Sequence, residues 1–335
     1  MKLPHTSLEG KHLPVMIDEV INICKPKRGE YFMDCTFGGG GFSKEFLKFQ
    51  NTKVVALDRD DHVIEIAKKI KNKFQSRFTF YNEKFSKLDQ VSSNKFDAVI
   101  FDLGLSSIQL DDLTRGFSFK SKNELNMSMG QAERSAKKVL NTYGSQDLKE
   151  IIKTFGEEEE ASKISKNIVK ERAKSEINTT DELVKIIKNS KKKNFKKKIN
   201  ESTKTFQAIR IFVNQEISEL IEGIIKATKV LKPGGKLIVI SFHSIEDKIV
   251  KFYFKNYSKN HSRSNRYLPD KIEKLFLFDD YKNKIIRATS KEIKRNPRSR
   301  SAKLRVAIRS ANKFSDPEEL RNKFKYLTDL EKKIA

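Results

Sequence analysis

The sequence predicts an α/β protein with a parallel, doubly wound sheet that is interrupted by an inserted helical segment. Short, continuously apolar runs alternate with helical patterns in the first hundred residues, as in strands covered on both faces. The alternation gives way to polar helical sequence at residue 107 and resumes at 205. We therefore expect one discontinuous domain, 1–106 and 205–312, an inserted domain, 107–204, and a charged C-terminal helix, 313–335.

Six strands are predicted from apolar runs bounded by turn residues, at 31–36, 52–58, 78–81, 96–103, 236–242 and 303–309. Apolar residues at helical spacing predict the helices. In 61–74, for example, Val63, Ala67 and Ile70 share one face. The other predicted helices span 42–49, 135–144, 145–156, 157–174, 179–190 and 206–231, the last ended by the Lys-Pro-Gly-Gly turn at 232–235.

Composition excludes some classes of protein. Of the 335 residues, 37% are hydrophobic and 10% aromatic, which is too many for a disordered chain. The net charge of +25 favours a polyanionic partner such as nucleic acid, although a lysine-rich composition also follows from base-composition bias. Two strongly basic stretches, 191–198 and 291–309, are candidate phosphate contacts.

Cysteine usage and hydropathy point to the cytoplasm. Cys24 and Cys35 lie eleven residues apart with no Cys or His at ligand spacing, so we expect neither a disulfide framework nor a metal site. The chain lacks an apolar run of about 18 residues and a signal-peptide core. A soluble, cytoplasmic protein without a membrane partner is expected.

The first motif, DCTFGGGG at 34–41, lies between a predicted strand and a predicted helix. Glycines let the backbone approach a ligand closely, and a helix N-terminus offers free N–H groups. Asp58 ends the next strand, 20 residues after Gly38, where a carboxylate can accept both ribose hydroxyls. An adenosine-containing cofactor is the functional interpretation, and a plain glycine-rich turn with a capping Asp is the structural one.

The spacing of the glycines helps to choose the cofactor. A dinucleotide site usually reads G-x-G-x-x-G, whereas this turn reads GGGGFS. LKPGGKL at 231–237 resembles the turn before the fifth strand of class I methyltransferases. S-adenosylmethionine is therefore favoured over NAD.

Two further motifs follow the fourth and fifth predicted strands. Asp102, in FDLGLSS, occupies the place where amino-group methyltransferases often carry an acidic residue, although it could also cap a helix. His243, in SFHS, is a candidate general base or a hydrogen-bonding scaffold. Phe117, Phe119 and Phe242 could stack a flipped base or simply pack in the core.

Seven blocks together resemble the bacterial 16S rRNA cytosine-N4 methyltransferases, the MraW/RsmH family. They are HLPVM (12–16), DCTFGGGGFS (34–43), ALDRD (56–60), FDLGLSSIQLDDLTRGFSF (101–119), TFQAIRIFVNQEI (205–217), LKPGGKLIVISFHSIEDKIVK (231–251) and RNPRSRSAKLR (295–305). The blocks run in the family's order.

The resemblance implies a Rossmann-like class I methyltransferase fold with an inserted helical domain. It also implies methyl transfer from S-adenosylmethionine to the N4 amine of a cytidine in the decoding centre of 16S rRNA, by a monomer or homodimer. The family's cofactor contacts map onto Gly38, Gly40, Gly41, Phe42, Asp58, Phe85, Asp102 and Gln109.

Several positions depart from the family pattern. Phe42 stands where the family usually has His, and Ile108 where it has Pro. The family's D-M-R-M reads NMSM at 126–129, and HPATR reads INESTK before TFQAIR. These changes bear on cofactor affinity and RNA contacts.

Our mechanistic hypothesis is that Asp102 orients the methionine end of the cofactor or the cytosine amine, while Ser241, His243 and Ser244 shape the base pocket. The alternatives are a DNA amino-methyltransferase, a non-catalytic RNA-binding protein on the same scaffold and, more distantly, an NAD-linked enzyme.

Overall fold

A seven-stranded sheet lies at the centre of the computed structural model, which describes residues 14–92, 95–130, 132, 134–191, 200–259, 276–279 and 281–334. The strands are β1 Tyr31–Asp34, β2 Lys53–Leu57, β3 Phe78–Tyr81, β4 Phe96–Asp102, β5 Leu231–Ser241, β6 Ile286–Arg287 and β7 Lys303–Ile308. The order is β3-β2-β1-β4-β5-β7-β6. Strands β1 to β5 are parallel, and β7 is antiparallel to both neighbours.

This order confirms the predicted doubly wound, Rossmann-like fold. The strand order reverses between β1 and β4, and in such sheets the crevice beyond the carboxyl ends of these strands is the usual ligand site. All six predicted strands are present, and β3 has the predicted bounds. The seventh, the two-residue edge strand β6, was not predicted.

Fourteen helices are described. They are α1 Ile17–Cys24, α2 Gly41–Leu47, α3 Ile64–Phe74, α4 Leu88–Val91, α5 Ser107–Asp111, α6 Ala136–Thr142, α7 Ser145–Gly156, α8 Ala161–Arg172, α9 Thr180–Ser190, α10 Thr203–Asn214, α11 Glu216–Val230, α12 Ser244–Asn256, α13 Ser290–Arg295 and α14 Glu318–Glu331. None of them is long and apolar enough to cross a membrane.

Each face of the sheet has its own core, because side chains alternate along a strand. On one face Phe32 stacks on Phe46 of α2, with ring centroids 4.2 Å apart. On the other face Met33 belongs to a larger core that continues through α10 and α11 to Leu148 and Ile164. The inserted helices therefore share a core with the sheet. Cys24 and Cys35 are both buried free thiols.

The inserted segment is helical as predicted. Helix α7 packs against α8 and α10, and α9 packs against α8. Thr179 begins α9 with a capping box in which its side chain accepts from the Glu182 N–H. Residues 192–198 of the lysine run at 191–198 lie outside the described residues, as do 12 and 13 of the HLPVM block.

The prediction of a single helix at 206–231 is wrong, because the structure has two helices, α10 and α11, with Gln215 between them. Gln215 adopts a left-handed conformation with φ of 52°. The preceding Asn214 donates from its amide to the Met127 carbonyl and accepts from the Met129 N–H, both at 2.8 Å. Arg59 donates to the Asn214 carbonyl at 2.7 Å. These tertiary contacts replace the continuation of the helix.

The start of β5 also differs from the prediction. Leu231 already pairs with Phe96, and Lys236 pairs with Ala98, so the Lys-Pro-Gly-Gly turn is an irregularity inside the strand. Gly234 supplies the positive φ of 78° that this bend requires.

Helix α14 and the residues that follow it contact both the helices that pack on the sheet and the inserted helices. It packs against α11 and α12, and Phe324 meets Phe252 edge to face at 5.6 Å. Just beyond it, the Lys333 ammonium lies 3.1 Å from Asp147 and 2.7 Å from Glu150, both on α7. The predicted charged C-terminal helix is thus present and ties the inserted helices to the sheet.

Candidate active site

A cavity of about 640 Å³ opens at the carboxyl ends of β1, β4 and β5, between the sheet and the inserted segment. The glycine-rich turn after β1, the loops after β4 and β5, and α10 and α11 all contribute to its wall. Its position is the crevice at the reversal of strand order. The site is therefore built where the fold predicts a ligand.

The glycine-rich turn is held by two carboxylates. Asp34 ends β1 and accepts the Ser43 N–H at 3.2 Å and the Ser43 hydroxyl at 2.7 Å, which fixes the start of α2. The N–H of Gly38 donates to Oδ2 of Asp58 at 2.8 Å. Burial raises the pKa of both Asp34 and Asp58 to about 6.

The glycines of the turn differ in their surroundings. A Cβ on Gly39 would meet no atom within 4 Å, so this residue leaves the cavity open. Gly40 has a φ of 71°, and a Cβ there would lie 2.6 Å from the Ile70 side chain. Gly38, Gly39 and Gly41 line the cavity, whereas Gly40 packs inward against Ile70 and Phe37. Gly39 was missing from the predicted contacts.

The remaining predicted cofactor residues line the same cavity: Phe42, Asp58, Phe85, Asp102 and Gln109. Phe42 is buried in the first turn of α2. Phe85 packs edge to face on Phe101 at 5.3 Å. Gly223 makes room for it, because a Cβ there would lie 2.6 Å from the Phe85 ring.

Gln109 connects the cavity to the loop after β2. Its amide donates to Asp60 at 2.7 Å, and its oxygen accepts the Ser106 N–H at 3.0 Å. Ser106 and Gln109 form the capping box of α5, which orders the turn in which Ile108 replaces the family's proline. Arg115 adds a 2.6 Å ion pair with Asp60.

Asp102 is a half-buried acid of the site, and its Oδ1 atom is fully buried. It ends β4, and its Oδ1 has no hydrogen-bond partner among the described residues. Burial, with smaller contributions from the charges of Asp34 and Glu246, raises its pKa well above the ordinary range. A buried oxygen without a partner is costly, so the site is suited to a ligand that donates a hydrogen bond to it.

Aromatic side chains contribute to the cavity wall. Phe117, Phe119 and Phe242, all singled out from the sequence, line it together with Phe206. Phe119 and Phe206 meet edge to face at 6.3 Å. These rings offer apolar surface on which a planar base can stack.

The three predicted residues at the carboxyl end of β5 have different surroundings. His243 lines the cavity with its side chain 7% exposed. The hydroxyl of Ser241 instead donates to the Lys303 carbonyl of β7 at 3.3 Å, and the Ser244 hydroxyl donates to Glu157. Neither serine is among the cavity residues, because both hydroxyls are directed to neighbouring elements.

A charged network beside His243 escaped the sequence reasoning. Arg210 binds both oxygens of Glu216 at 2.7 and 2.8 Å, and Glu246 accepts the Phe242 N–H at 2.8 Å. The sequence feature that could have revealed this network is the spacing of its charged residues, R-x5-E at 210–216 and H-x2-E at 243–246.

This network also contains a possible cation site. One ligand atom each from Glu216, His243 and Glu246 lies within 4.8 Å of the others, a set that could hold a metal ion. Arg210 already compensates the charge of Glu216, so one of the two carboxylates of the network is neutralised by the protein itself.

The basic stretch at 291–309 divides into buried and exposed residues. The expectation of phosphate contacts is wrong for Arg305, which pairs with Asp247 at 2.7 Å, and for Arg309, which donates to the Thr228 and Leu277 carbonyls. Both are buried. The exposed cations of this stretch are Lys291, Lys294, Arg295, Arg298 and Arg300. Of these, Arg298 lines the cavity and pairs with Asp111 of α5 at 2.8 Å.

Comparison with known proteins identifies the family. The model of the MraW methylase family matches residues 9–310. The chain belongs to the MraW methylase family. It is therefore a methyltransferase, and S-adenosylmethionine is its cofactor.

Curated relatives share the length as well as the sequence. The ribosomal RNA small subunit methyltransferase H of Ehrlichia ruminantium (strain Welgevonden) is 41% identical over 305 residues, covering 89% of this chain and 99% of the relative. The protein of the same name from Rickettsia akari (strain Hartford) is 41% identical over 306 residues, covering 88% and 97%. An rRNA methylase structure from Streptococcus thermophilus aligns with 91% of this chain at a TM-score of 0.40 and 9% identity.

The residues present fit S-adenosylmethionine. The open side of Gly39 leaves space for the cofactor to approach the backbone, and the Asp58 carboxylate, which follows β2 and lines the cavity, could accept the ribose hydroxyls. The partnerless Oδ1 of Asp102 matches a cofactor or substrate amino group. When bound, the cofactor supplies an electrophilic methyl group on a sulfonium.

Proposed function

We propose that this methyltransferase methylates the exocyclic N4 amine of a cytidine in the decoding centre of 16S rRNA. The proposal rests on one observation: a single cavity contains two sets of groups. One set is the glycine turn and Asp58, and the other is the aromatic surface and Asp102. The first set suits the adenosine of the cofactor, and the second suits a planar amino base. The names of the relatives support ribosomal RNA as the substrate.

The chemistry requires that the amine be aligned and its proton accepted, because the N4 lone pair is delocalised into the cytosine ring. We propose that Gly38, Gly41, Phe42, Phe85 and Gln109 position the cofactor. Asp102 accepts a hydrogen bond and then the proton of the amine, while N4 gains the methyl group and the bond between that methyl group and sulfur breaks. Phe119, Phe206 and Phe242 hold the base, which has left its stack in the folded RNA.

We propose that the inserted helices at 107–204 recognise the RNA, while 1–106 and 205–312 carry the chemistry. The exposed Lys291, Lys294 and Arg300 offer phosphate contacts near the cavity residues Asn296 and Ser301. Such a protein works in the cytoplasm, where its ribosomal substrate is found.

Replacing Asp102 by Ala tests the proposed chemistry. We expect turnover on small ribosomal subunits to fall about a hundredfold or more, since an acceptor in a desolvated site is lost. The matched control is Lys251→Ala, an exposed change on α12. Single-turnover transfer of labelled methyl groups measures the rate. Unchanged turnover in Asp102→Ala would remove this role, and a preference for duplex DNA would favour the DNA amino-methyltransferase.

A further inference from the structure

The hydrogen bonds of His243 determine which ring nitrogen carries the proton. The Glu246 N–H points to Nδ1 of His243 at 3.5 Å, as part of the capping box that begins α12. Nδ1 is therefore assigned as the acceptor of this N–H, which places the proton of the neutral ring on Nε2. His243 thus presents Nε2–H as a donor, which makes it unsuited to act as a general base through that nitrogen.

This donor is buried and unused within the protein. Nε2 has no hydrogen-bond partner among the described residues. It lies 3.1 Å from Oε1 of Glu246, but that contact lacks hydrogen-bond geometry. Oε2 of Glu246 is occupied by the Phe242 and His243 N–H groups, which fixes the carboxylate beside the ring. A buried donor left in this state is suited to a ligand acceptor.

The second partnerless polar atom of the cavity is Oδ1 of Asp102. Asp102 pairs in register with Ile240 on the adjacent strand, and His243 follows three residues after Ile240. Both side chains line the same cavity. The cavity therefore presents one unused acceptor and one unused donor from neighbouring strand ends.

We propose that Asp102 and His243 together read the N4–N3 edge of the cytosine, with Oδ1 of Asp102 accepting from the N4 amine and Nε2–H of His243 donating to N3. The proposal rests on the proposed function and names how that site selects its base. Cytosine presents a donor at N4 beside an acceptor at N3. Uracil presents the reverse, a carbonyl oxygen and N3–H, so both contacts become repulsive. Adenine shares the pattern of cytosine, so this contact separates amino bases from keto bases.

The test measures the affinity of the full-length protein, saturated with S-adenosylhomocysteine, for cytidine, uridine and 3-deazacytidine by NMR titration. The last replaces N3 by C–H and keeps the amine. We expect the wild-type protein to prefer cytidine over 3-deazacytidine by about tenfold or more, because the analogue leaves Nε2–H unpaired. Uridine should bind more weakly than cytidine by at least the same factor.

Two variants of His243 separate this contact from a structural role. In His243→Asn the amide oxygen replaces Nδ1 and keeps the cap of α12, but the donor at the Nε2 position is lost. The preference for cytidine over 3-deazacytidine should then fall to about one. His243→Gln carries an amide N–H near the Nε2 position and should restore part of the preference. Lys251→Ala should keep the wild-type ratio.

Equal affinities for cytidine and 3-deazacytidine in the wild-type protein, or a wild-type ratio in His243→Asn, would overturn the proposal, as would no binding of cytidine. Methyl transfer to small ribosomal subunits is measured on the same preparations. If N4-methylcytidine forms but the affinities for cytidine and 3-deazacytidine are equal, the proposed edge contact is refuted and the proposed function stands. If neither appears, both fail.

Discussion

Glu331, at the end of α14, is a buried carboxyl whose ionisation should weaken the fold. It accepts the N–H groups of Ile217 and Ser218, each at 2.8 Å, and the Ser218 hydroxyl, so it caps the start of α11. Burial outweighs these hydrogen bonds and raises its pKa from 4.5 to about 7. The joint between α14 and α11 therefore contains a group that titrates near neutral pH.

The sign and size of the effect follow from linkage. The folded protein binds this proton more tightly than the unfolded chain, so stability is present at low pH and is lost as pH rises towards the folded pKa. Between about pH 5.5 and about pH 8, this group should cost about 2 kcal/mol of unfolding free energy. Glu331→Gln keeps an acceptor oxygen and cannot ionise, so this variant should not lose that unfolding free energy as the pH rises.

Urea unfolding followed by circular dichroism at both pH values measures the difference. The wild-type protein should lose about 2 kcal/mol more than Glu331→Gln as the pH rises. Glu318→Gln, an exposed change in the first turn of the same helix, serves as the control for removing a carboxyl. Equal pH dependence in the wild type and Glu331→Gln would refute the reasoning.

Three other predictions concern separate parts of the molecule. Asp247→Ala leaves the buried Arg305 guanidinium without its carboxylate and should lower stability in urea by about 3–5 kcal/mol. Gly40→Ala should lower the melting temperature, since its Cβ would meet Ile70 at 2.6 Å, whereas Gly39→Ala should weaken cofactor binding with little change in melting. Replacing Lys291, Lys294 and Arg300 by Ala should reduce the slope of log affinity for RNA against log salt by up to about 3, measured by filter binding; an unchanged slope would place the phosphate contacts elsewhere.

The local signals in the sequence were sufficient for six of the seven strands, but not for β6 or for the start of β5. Strand β4 contains the apolar run 98–101, and such runs fit a strand covered on both faces. The glycine turn and Asp58 were placed correctly at one edge because the carboxyl ends of parallel strands meet there. The helical character of 135–190 followed from apolar periodicity and from the Thr179 cap.

Features that depend on distant partners could not be predicted. The break at Gln215 is fixed by contacts of Asn214 with residues some 85 positions away. Arg305 is basic in a basic stretch, and only its pairing with Asp247 across 58 positions shows that it is structural. The tautomer of His243 depends on a backbone N–H, so the sequence left general base and scaffold open.

The most direct test of the account is methyl transfer itself. The protein is incubated with labelled S-adenosylmethionine and undermethylated small ribosomal subunits, with naked 16S rRNA and duplex DNA in parallel, and the nucleic acids are digested to nucleosides. We predict label in N4-methylcytidine, or its 2′-O-methylated form, from the rRNA. Label in another nucleoside, transfer to DNA instead, or no transfer to any substrate would contradict the proposed function.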